Sequence, residues 1–544
     1  MRFTDYLKRH VVIVGGDMKA PGGFDGAVGS NAGYFDNGCC AVCADTFGVN
    51  GLYYGASETG KLVSAALGRV AAARERSRAG GEKYIALGIG PTGQRLSPYK
   101  DLDFDHAVEA FSQTVKAGVK YGADLIILDA FDDGYECKAA LLAAKENSDL
   151  PVLVCCRYGD NGRLATGADP GSLIPMLEGM GADAIGVSCT PDGAAEEAVT
   201  GYLGLSSVPV IYGAYPGQDP GSFQRTASGL IKRGVRVICA YRGVTPEHIK
   251  PLSAEGYAPV PVTDKKLTVI SSGARSVRFG EKTVIIGERI NPTGKIKLKE
   301  AIKNGDPAPL LSEALAQEKA GADALDVNVG VSDGEAEKLC GAVSLLQRTT
   351  DLPLALDTAS PYAMERAMRI YNGCPLVNSV NGRRESMEKI FPPVKKYGGV
   401  VVALLFDGDG IPGDPDRRLS VARNIIACAD GFGIPKNRIL FDALALSAAS
   451  DPGAASVTLE TLGRLKRELG CLTVLGVSNV SFGLPDRQAL NGAFLICAMR
   501  EGLDAAIADP CSDQIMRSYT AYNALSGADE GFARYIAYAR KRKE

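Results

Sequence analysis

The stretch "DHAVEAFSQTVKAGVKYGADLIILDA", residues 105–130, holds one complete structural unit. Its first part places apolar residues three and four apart, the period of a helix with one buried stripe. After Gly122 the pattern changes to the unbroken apolar run "LIILDA". A helix-period segment leading into a short continuous apolar run predicts a helix followed by a strand buried on both faces.

The same alternation extends in both directions. Towards the N-terminus and up to residue 251 the strand-like runs are "VVIVG" at 11, "CCAVCA" at 39, "YIALGIG" at 84, "LIILDA" at 125, "VLVCC" at 152, "AIGVSC" at 184, "VPVIYGA" at 208 and "VRVICAY" at 235. A second series gives "TVIIGE" at 283, "ALDVNVG" at 324, "LPLALDT" at 352, "PLVNSV" at 375, "GVVVALLF" at 399, "RILFDA" at 438, "LTVLGVSN" at 472 and "DAAIADP" at 504. Eight such units in about 250 residues fit a closed (β/α)8 barrel. Two open doubly wound sheets are the competing architecture, but neither first strand is followed by the usual G-x-G-x-x-G. The expectation is an α/β chain of two (β/α)8 TIM barrels in tandem. Residues 1–251 form the first and 283–544 the second. The Pro- and Gly-interrupted stretch 252–282 serves as linker, and its "LTVISS" and "SVRFG" pieces suggest a small hairpin under the second barrel.

The chain has 544 residues, too many for one hydrophobic core. Lysine plus arginine number 60 and aspartate plus glutamate 63, a near balance that gives no electrostatic footprint for nucleic acid or an anionic membrane. The opening "MRFTDYLKRHVVIVGG" is too short in apolar residues for a signal peptide, and no run of about 18 apolar residues occurs. A cytoplasmic location is expected. In that setting the 14 cysteines, several ending apolar runs, read as buried thiols or ligands rather than disulfides.

Barrel chemistry gathers where strands run out towards the following helices. In the second series those positions carry Glu288, Asp326 with Asn328, Asp357, Asn378, Asp442, Asn479 and Asp509, on seven of the eight strands. Any one of them also fits a turn or a helix cap. Together they make a ring without the hydroxyl–histidine pair of acyl transfer and without a phosphate-cradling glycine loop. Such a ring suits a flat, polar, neutral heterocycle whose N–H groups carboxylates accept in pairs.

The segments "VIIGERINPTGK", "ALDVNVG", "LALDT", "LVNSV", "ILFDA", "VLGVSNVSFGLPDR" and "AIADP" resemble the pterin-binding barrel shared by methyltetrahydrofolate:corrinoid methyltransferases and the folate module of cobalamin-dependent methionine synthase. The resemblance implies that Asp357, Asn378 and Asp442 hold the pterin ring of 5-methyltetrahydrofolate. It places Asn479 beside the methyl-bearing N5, with Glu288, Asp326, Asn328 and Asp509 supporting the ring or ordering water nearby. An amide whose hydrogen bond strengthens as N5 gains charge stabilises the transition state selectively. One departure is Ala443, where the family has proline after the strand-six aspartate.

The first half resembles the homocysteine-binding barrel of the same synthases, through "ADTFGVN", "IGPTG", "KAALLAA", "GRLATGADP", "AIGVSC" and "GVTPEHI". That family binds zinc with three cysteines. Here Cys189 is the one family position kept, and Tyr241 and Arg242 stand where an adjacent cysteine pair belongs. One cysteine does not make a zinc site, so zinc is not expected unless Cys155, Cys156 or Cys239 is recruited.

No D-x-H-x-x-G cobalamin signature occurs, and the three histidines are His10, His106 and His248. The corrinoid acceptor is therefore expected in trans, as a separate corrinoid protein or as free cofactor. Three readings stay open: a methyltransferase from methyltetrahydrofolate to a corrinoid protein with a degenerate or repurposed first barrel; the two-barrel part of a split methionine synthase; and a non-catalytic folate-binding assembly protein. A homodimer also stays open. Dihydropteroate synthase shares the pocket type, but Asn479 stands where its loop carries a lysine.

Overall fold

The computed structural model describes residues 1–16, 28–97, 101–188, 190, 192–214, 219–240, 243–330 and 333–541. Two compact units divide them, Met1–Lys266 and Leu267–Glu544. In the first, β1 (Val12–Gly15), β2 (Ala41–Ala44), β3 (Tyr84–Ile89), β4 (Leu125–Phe131), β5 (Val152–Cys156), β6 (Ala184–Val187), β7 (Val210–Gly213) and β8 (Val235–Ala240) close in sequence order into a barrel. All neighbours are parallel, and β8 pairs back onto β1.

A two-stranded antiparallel hairpin, β9 (Val269–Ser271) and β10 (Ser276–Arg278), opens the second unit. There, β11 (Val284–Ile290), β12 (Ala324–Asn328), β13 (Leu354–Asp357), β14 (Leu376–Asn381), β15 (Val400–Leu404), β16 (Ile439–Asp442), β17 (Leu472–Gly476) and β18 (Ala505–Ala508) close a second parallel barrel. Each unit is thus the eight-stranded α/β barrel that the alternation predicts. No described helix is long and apolar enough to cross a membrane.

The unit quoted at the outset shows why the chain folds this way. Asp103 caps helix Phe104–Lys120, its carboxylate accepting the N–H groups of Asp105 at 2.8 Å and His106 at 3.3 Å. The buried face runs through Phe104, Ala107, Val108, Phe111 and Val115, which cover the sheet. Gly122, at φ +85°, turns the chain out of the helix at no steric penalty. Two residues later Asp124 accepts the backbone N–H of Ile85 on β3 at 2.8 Å.

That Gly-x-Asp device recurs before β6, β12 and β18. Asp183 accepts from Val152 N at 2.8 Å, Asp323 from Ile285 N at 3.0 Å, and Asp504 from Thr473 N at 2.7 Å. Each carboxylate fixes the start of the preceding strand and is neutralised by a cation, Arg74, Lys145, Lys282 and Lys466 in turn. The lower ends of neighbouring strands are therefore locked in level, which leaves the upper ends free to carry polar side chains.

The hairpin stoppers the lower end of the second barrel. Ser271 N donates to Cys374 O at 2.8 Å, just before β14, and Ser272 Oγ donates to Asp351 O at 2.6 Å, just before β13. Thr268 Oγ1 donates to Asn437 O at 2.5 Å, just before β16. Ile270 and Phe279 are buried beneath the barrel.

Candidate functional site

The polar side chains anticipated from sequence meet at the upper ends of β11 to β14. Asn328, Asp357 and Asn378 sit level on three adjacent strands, each the Cα partner of the next. Parallel strands lie ~4.8 Å apart, so these side chains are immediate neighbours. Asn328 Nδ2 donates to Asp357 Oδ2 at 2.8 Å, and Asn378 Nδ2 donates to Asp326 Oδ1 at 3.1 Å. Asp326 is buried, at 4% exposure, whereas Asp357 keeps partial access to solvent.

Burial, and then the neighbouring Asp357 charge, push the Asp326 carboxyl well above the usual carboxylate range. Burial raises Asp357 as well, while Asn328 and Asp326 hydrogen-bond to its ionised form and pull it back. The proton of this dyad is accordingly favoured on Asp326, with Asp357 as the acceptor. The site can thus offer a donor and an acceptor side by side.

Glu288 on β11 joins the group from the other side. Ser478 Oγ donates to Glu288 Oε1 at 2.6 Å, linking the turn after β17 to the first strand of the barrel. Burial raises the Glu288 carboxyl; Arg487 and Lys295 oppose the shift. Asp509, one residue past β18, accepts from Arg289 Nη1 at 3.1 Å, and Arg289 forks onto Glu313 at 2.6 and 3.1 Å. Asp509 is therefore committed to an ion-pair network, although its charge still acts on Glu288.

Asp442 stands apart from that chain of bonds. It is 9% exposed, and its Oδ1 accepts the Leu444 N–H at 2.7 Å. Leu444 adopts φ +61°, so the turn after Ala443 closes through a left-handed residue. Burial pushes the Asp442 carboxyl up to about 6, against the pull first of the Leu444 N–H bond and then of the Arg418 guanidinium.

Asn479 is not on a strand. The apolar run in "LTVLGVSN" suggests a strand reaching to Asn479, but β17 stops at Gly476 and Val477–Ser481 form one turn of 3-10 helix. The chain turns there because Arg487 Nη2 holds Ser478 O at 2.9 Å while the Ser478 hydroxyl is anchored on Glu288. The Asn479 carboxamide is exposed and makes no side-chain hydrogen bond among the described residues. A Cβ on Gly476 would come within 3.0 Å of Asn479 Nδ2, so glycine leaves that amide its place.

Sequence reading missed Ser478 as the partner of Glu288, and it missed Arg418. The serine is adjacent to Asn479 and was open to inspection. The arginine lies within "DPDRRLSVARN", where it reads as one more surface cation.

In the first unit the expected zinc position Cys189, with Tyr241 and Arg242, lies outside the described residues. Cys155 and Cys239 face each other inside the barrel, and hydrogen bonding to Cys239 together with burial raises the Cys155 thiol strongly. Cys156 instead meets Cys137, whose thiol is raised by that contact and by burial. No group of three or more His, Cys, Asp or Glu residues able to hold a metal ion occurs among the described residues. Thr92, after β3, donates to Glu136, on the helix after β4, from both N, at 2.6 Å, and Oγ1, at 2.5 Å, and burial pushes Glu136 up to about 7.

Residues 287–509 match the family described as pterin binding enzyme, and residues 30–255 match homocysteine S-methyltransferase. The two matches, each over less than half of the chain, are consistent with a homocysteine-binding module followed by a pterin-binding module. Methionine synthase of Mycobacterium leprae (strain TN) is 27% identical over 526 residues, which cover 87% of this chain and 43% of that protein. The chain thus spans less than half the length of the curated relative it matches. Among solved structures, homocysteine methyltransferase MmuM from Escherichia coli, oxidized form, is 16% identical with a TM-score of 0.40, covering 45% of this chain and 96% of its own. Dihydropteroate synthase from Xanthomonas albilineans in complex with 7,8-dihydropteroate is 20% identical with a TM-score of 0.36, covering 48% and 98%. The acidic and amide side chains from Glu288 to Asn378 fall inside the residues that match pterin binding enzyme.

Proposed function

We propose that the chain is a methyltransferase that moves the methyl group of 5-methyltetrahydrofolate to the cobalt of a corrinoid carried by a separate protein. The observation that carries this reading is the level row Asn328, Asp357, Asn378, with Asp326 behind it, inside a pterin-binding module. Asp357, Asn378 and Asp442 hold the pterin ring, Asn328 keeps the Asp357 carboxylate in place, and Asn378 also ties back to Asp326. Glu288, steadied by Ser478, supports the ring or orders water near N5, and Asp509 contributes charge from the rim.

Asn479 is the catalytic residue of this reading. As the cobalt(I) electron pair forms the new Co–C bond, the C–N pair stays on N5, which takes a proton from solvent, and an amide donor aimed at that nitrogen binds the developing charge more tightly than the starting amine. Its freedom from other partners suits a group that takes up its bond with substrate.

The first barrel is read as degenerate or repurposed, and no step is assigned to zinc. Anaerobic mixing of protein, 5-methyltetrahydrofolate and cob(I)alamin tests the reading. Growth of the methylcobalamin spectrum supports it, and a spectrum that stays that of cob(I)alamin sinks it in favour of a non-catalytic folate-binding role.

A second reading is favoured by one observation: similarity to methionine synthase runs through both barrels. The chain would then be the homocysteine and folate part of a split methionine synthase. Stoichiometric zinc that is lost in Cys189→Ala, with methylation of added homocysteine, selects it over the first. Homodimerisation is proposed with neither reading excluded, and sedimentation measures it.

A further inference from the structure

Arg418, on helix Pro415–Gly431, is 1% exposed. Its Nε donates to Pro412 O at 2.9 Å, and its Nη1 donates to Ala443 O at 2.5 Å and Leu444 O at 3.3 Å. Thr458 Oγ1 lies at 3.5 Å from Nη1. Every one of these partners is neutral. A buried guanidinium with no carboxylate in hydrogen-bond reach is costly, and a packed apolar side chain fills such a space with less penalty. Its bonds instead stitch the loop after β15 to the turn after β16, and that turn begins at Asp442.

The charges acting on Arg418 are Asp442 and Asp414, the N-cap of its own helix. Viewed from Asp442, the strand partners Leu404 on β15 and Val474 on β17 are uncharged. Arg418 is the one charged group among the described residues that shifts it.

We infer that Arg418 is a positioning residue for Asp442: its buried charge keeps that carboxylate ionised, and its fork fixes the 443–444 turn so that the carboxylate meets the ring N–H groups of a bound pterin. The ligand half rests on the function proposed above; the coupling between the two side chains does not. Burial alone drives Asp442 towards the neutral acid, which puts an O–H donor where one of two ring N–H groups would point. Arg418 opposes that drive from a buried position, where it takes no space from a ligand.

Two measurements on Arg418→Met and Arg418→Lys separate the parts. Titration of the Asp442 carboxyl by 13C NMR, in unliganded protein with labelled aspartate and Asp442→Asn for assignment, reads the coupling. The Met variant is expected to titrate at least about one pH unit higher than wild type, and the Lys variant within about half a unit, because lysine keeps the charge. Calorimetric binding of 5-methyltetrahydrofolate between pH 6 and 9 reads the consequence. For a one-unit shift the Met variant should lose about twofold in affinity at pH 7 beyond whatever it loses at pH 9, relative to wild type. The Lys variant should bind more weakly by a factor that does not change with pH, because its single ammonium cannot reach both Pro412 O and the carbonyls of the 443–444 turn.

An unmoved Asp442 midpoint in folded Arg418→Met overturns the inference whatever the binding shows. If the midpoint moves but wild type binds no folate, the coupling stands and the pterin reading fails. Should neither variant fold, wild type still decides: a midpoint near 6 agrees, and one above 7.5 overturns it.

Discussion

Asn328 donates its Nδ2 hydrogen to Asp357 Oδ2 at 2.8 Å, between residues that are Cα partners on adjacent strands of the second barrel. The bond fixes the rotamer of both side chains and leaves Asp357 Oδ1 for another donor. It also uses up one lone pair that a neutral Asp357 would not offer so strongly.

Replacing Asp357 by Asn removes the charge and keeps the shape. Affinity for 5-methyltetrahydrofolate is expected to fall by about 1.5–3 kcal/mol, the worth of hydrogen bonds to a charged acceptor, while the melting temperature holds or rises. Calorimetry and a thermal scan on the same preparation check both halves.

Asn479→Ala acts on rate rather than on folding. Its side chain is exposed and without a structural partner, so stability should change by less than about 0.5 kcal/mol. Methylcobalamin formation should slow by about 10²–10³-fold, as when a donor to developing charge is lost. Equal rates in stopped-flow traces of wild type and variant would remove the role given to this amide.

Acid should stabilise the unliganded second unit through Asp442. Its folded pKa is raised to about 6, so its contribution is fully present below the unfolded value of about 3.9 and is lost as pH rises through about 6. Asp442→Asn cancels that loss. The variant is expected to exceed wild type by roughly 2 kcal/mol at pH 7.5 and by nothing at pH 4, read from urea midpoints at the two pH values.

Asp504→Ala tests the strand-locking device. The carboxylate is 5% exposed, accepts Thr473 N at 2.7 Å, and pairs with Lys466 at 2.8 Å. Removal leaves a buried N–H unsatisfied and a lysine unpaired, which should lower stability by about 2–4 kcal/mol. A urea midpoint unchanged from wild type would show that Asp504 is dispensable.

Much of this arrangement was legible in the residues themselves. Helix-period and continuous apolar segments alternate so regularly that both barrels, and the strands bearing Asp326, Asp357, Asn378 and Asp442, can be read directly. The repeats "YGAD", "MGAD", "AGAD" and "EGLD" also announce the strand-locking aspartates, since a glycine that ends a helix and a carboxylate two residues on are local signals. Tertiary pairings are not local. Asp509 ends a strand like its fellows, yet it answers to Arg289, more than 200 residues earlier, and Arg289 is shared with Glu313 on an outer helix. Asn479 was misplaced because the apolar run continues through Val477, whereas a turn anchored by Ser478 and Arg487 decides where β17 stops. Arg418 has polar neighbours in sequence and carbonyl neighbours in space, and only the second fact buries it.

The hairpin from Val269 to Arg278 has a kinetic consequence. The hairpin covers the base of the second barrel and side chains fill its interior, so under the proposed function a folate at Asp357, Asn378 and Asp442 and the acceptor of its methyl group approach from the same rim. No side chain in the proposed mechanism takes the methyl covalently, so the two reactants have to be present together. Double-reciprocal rate plots should intersect rather than run parallel, and an acceptor large enough to fill the entrance should trap the folate behind it.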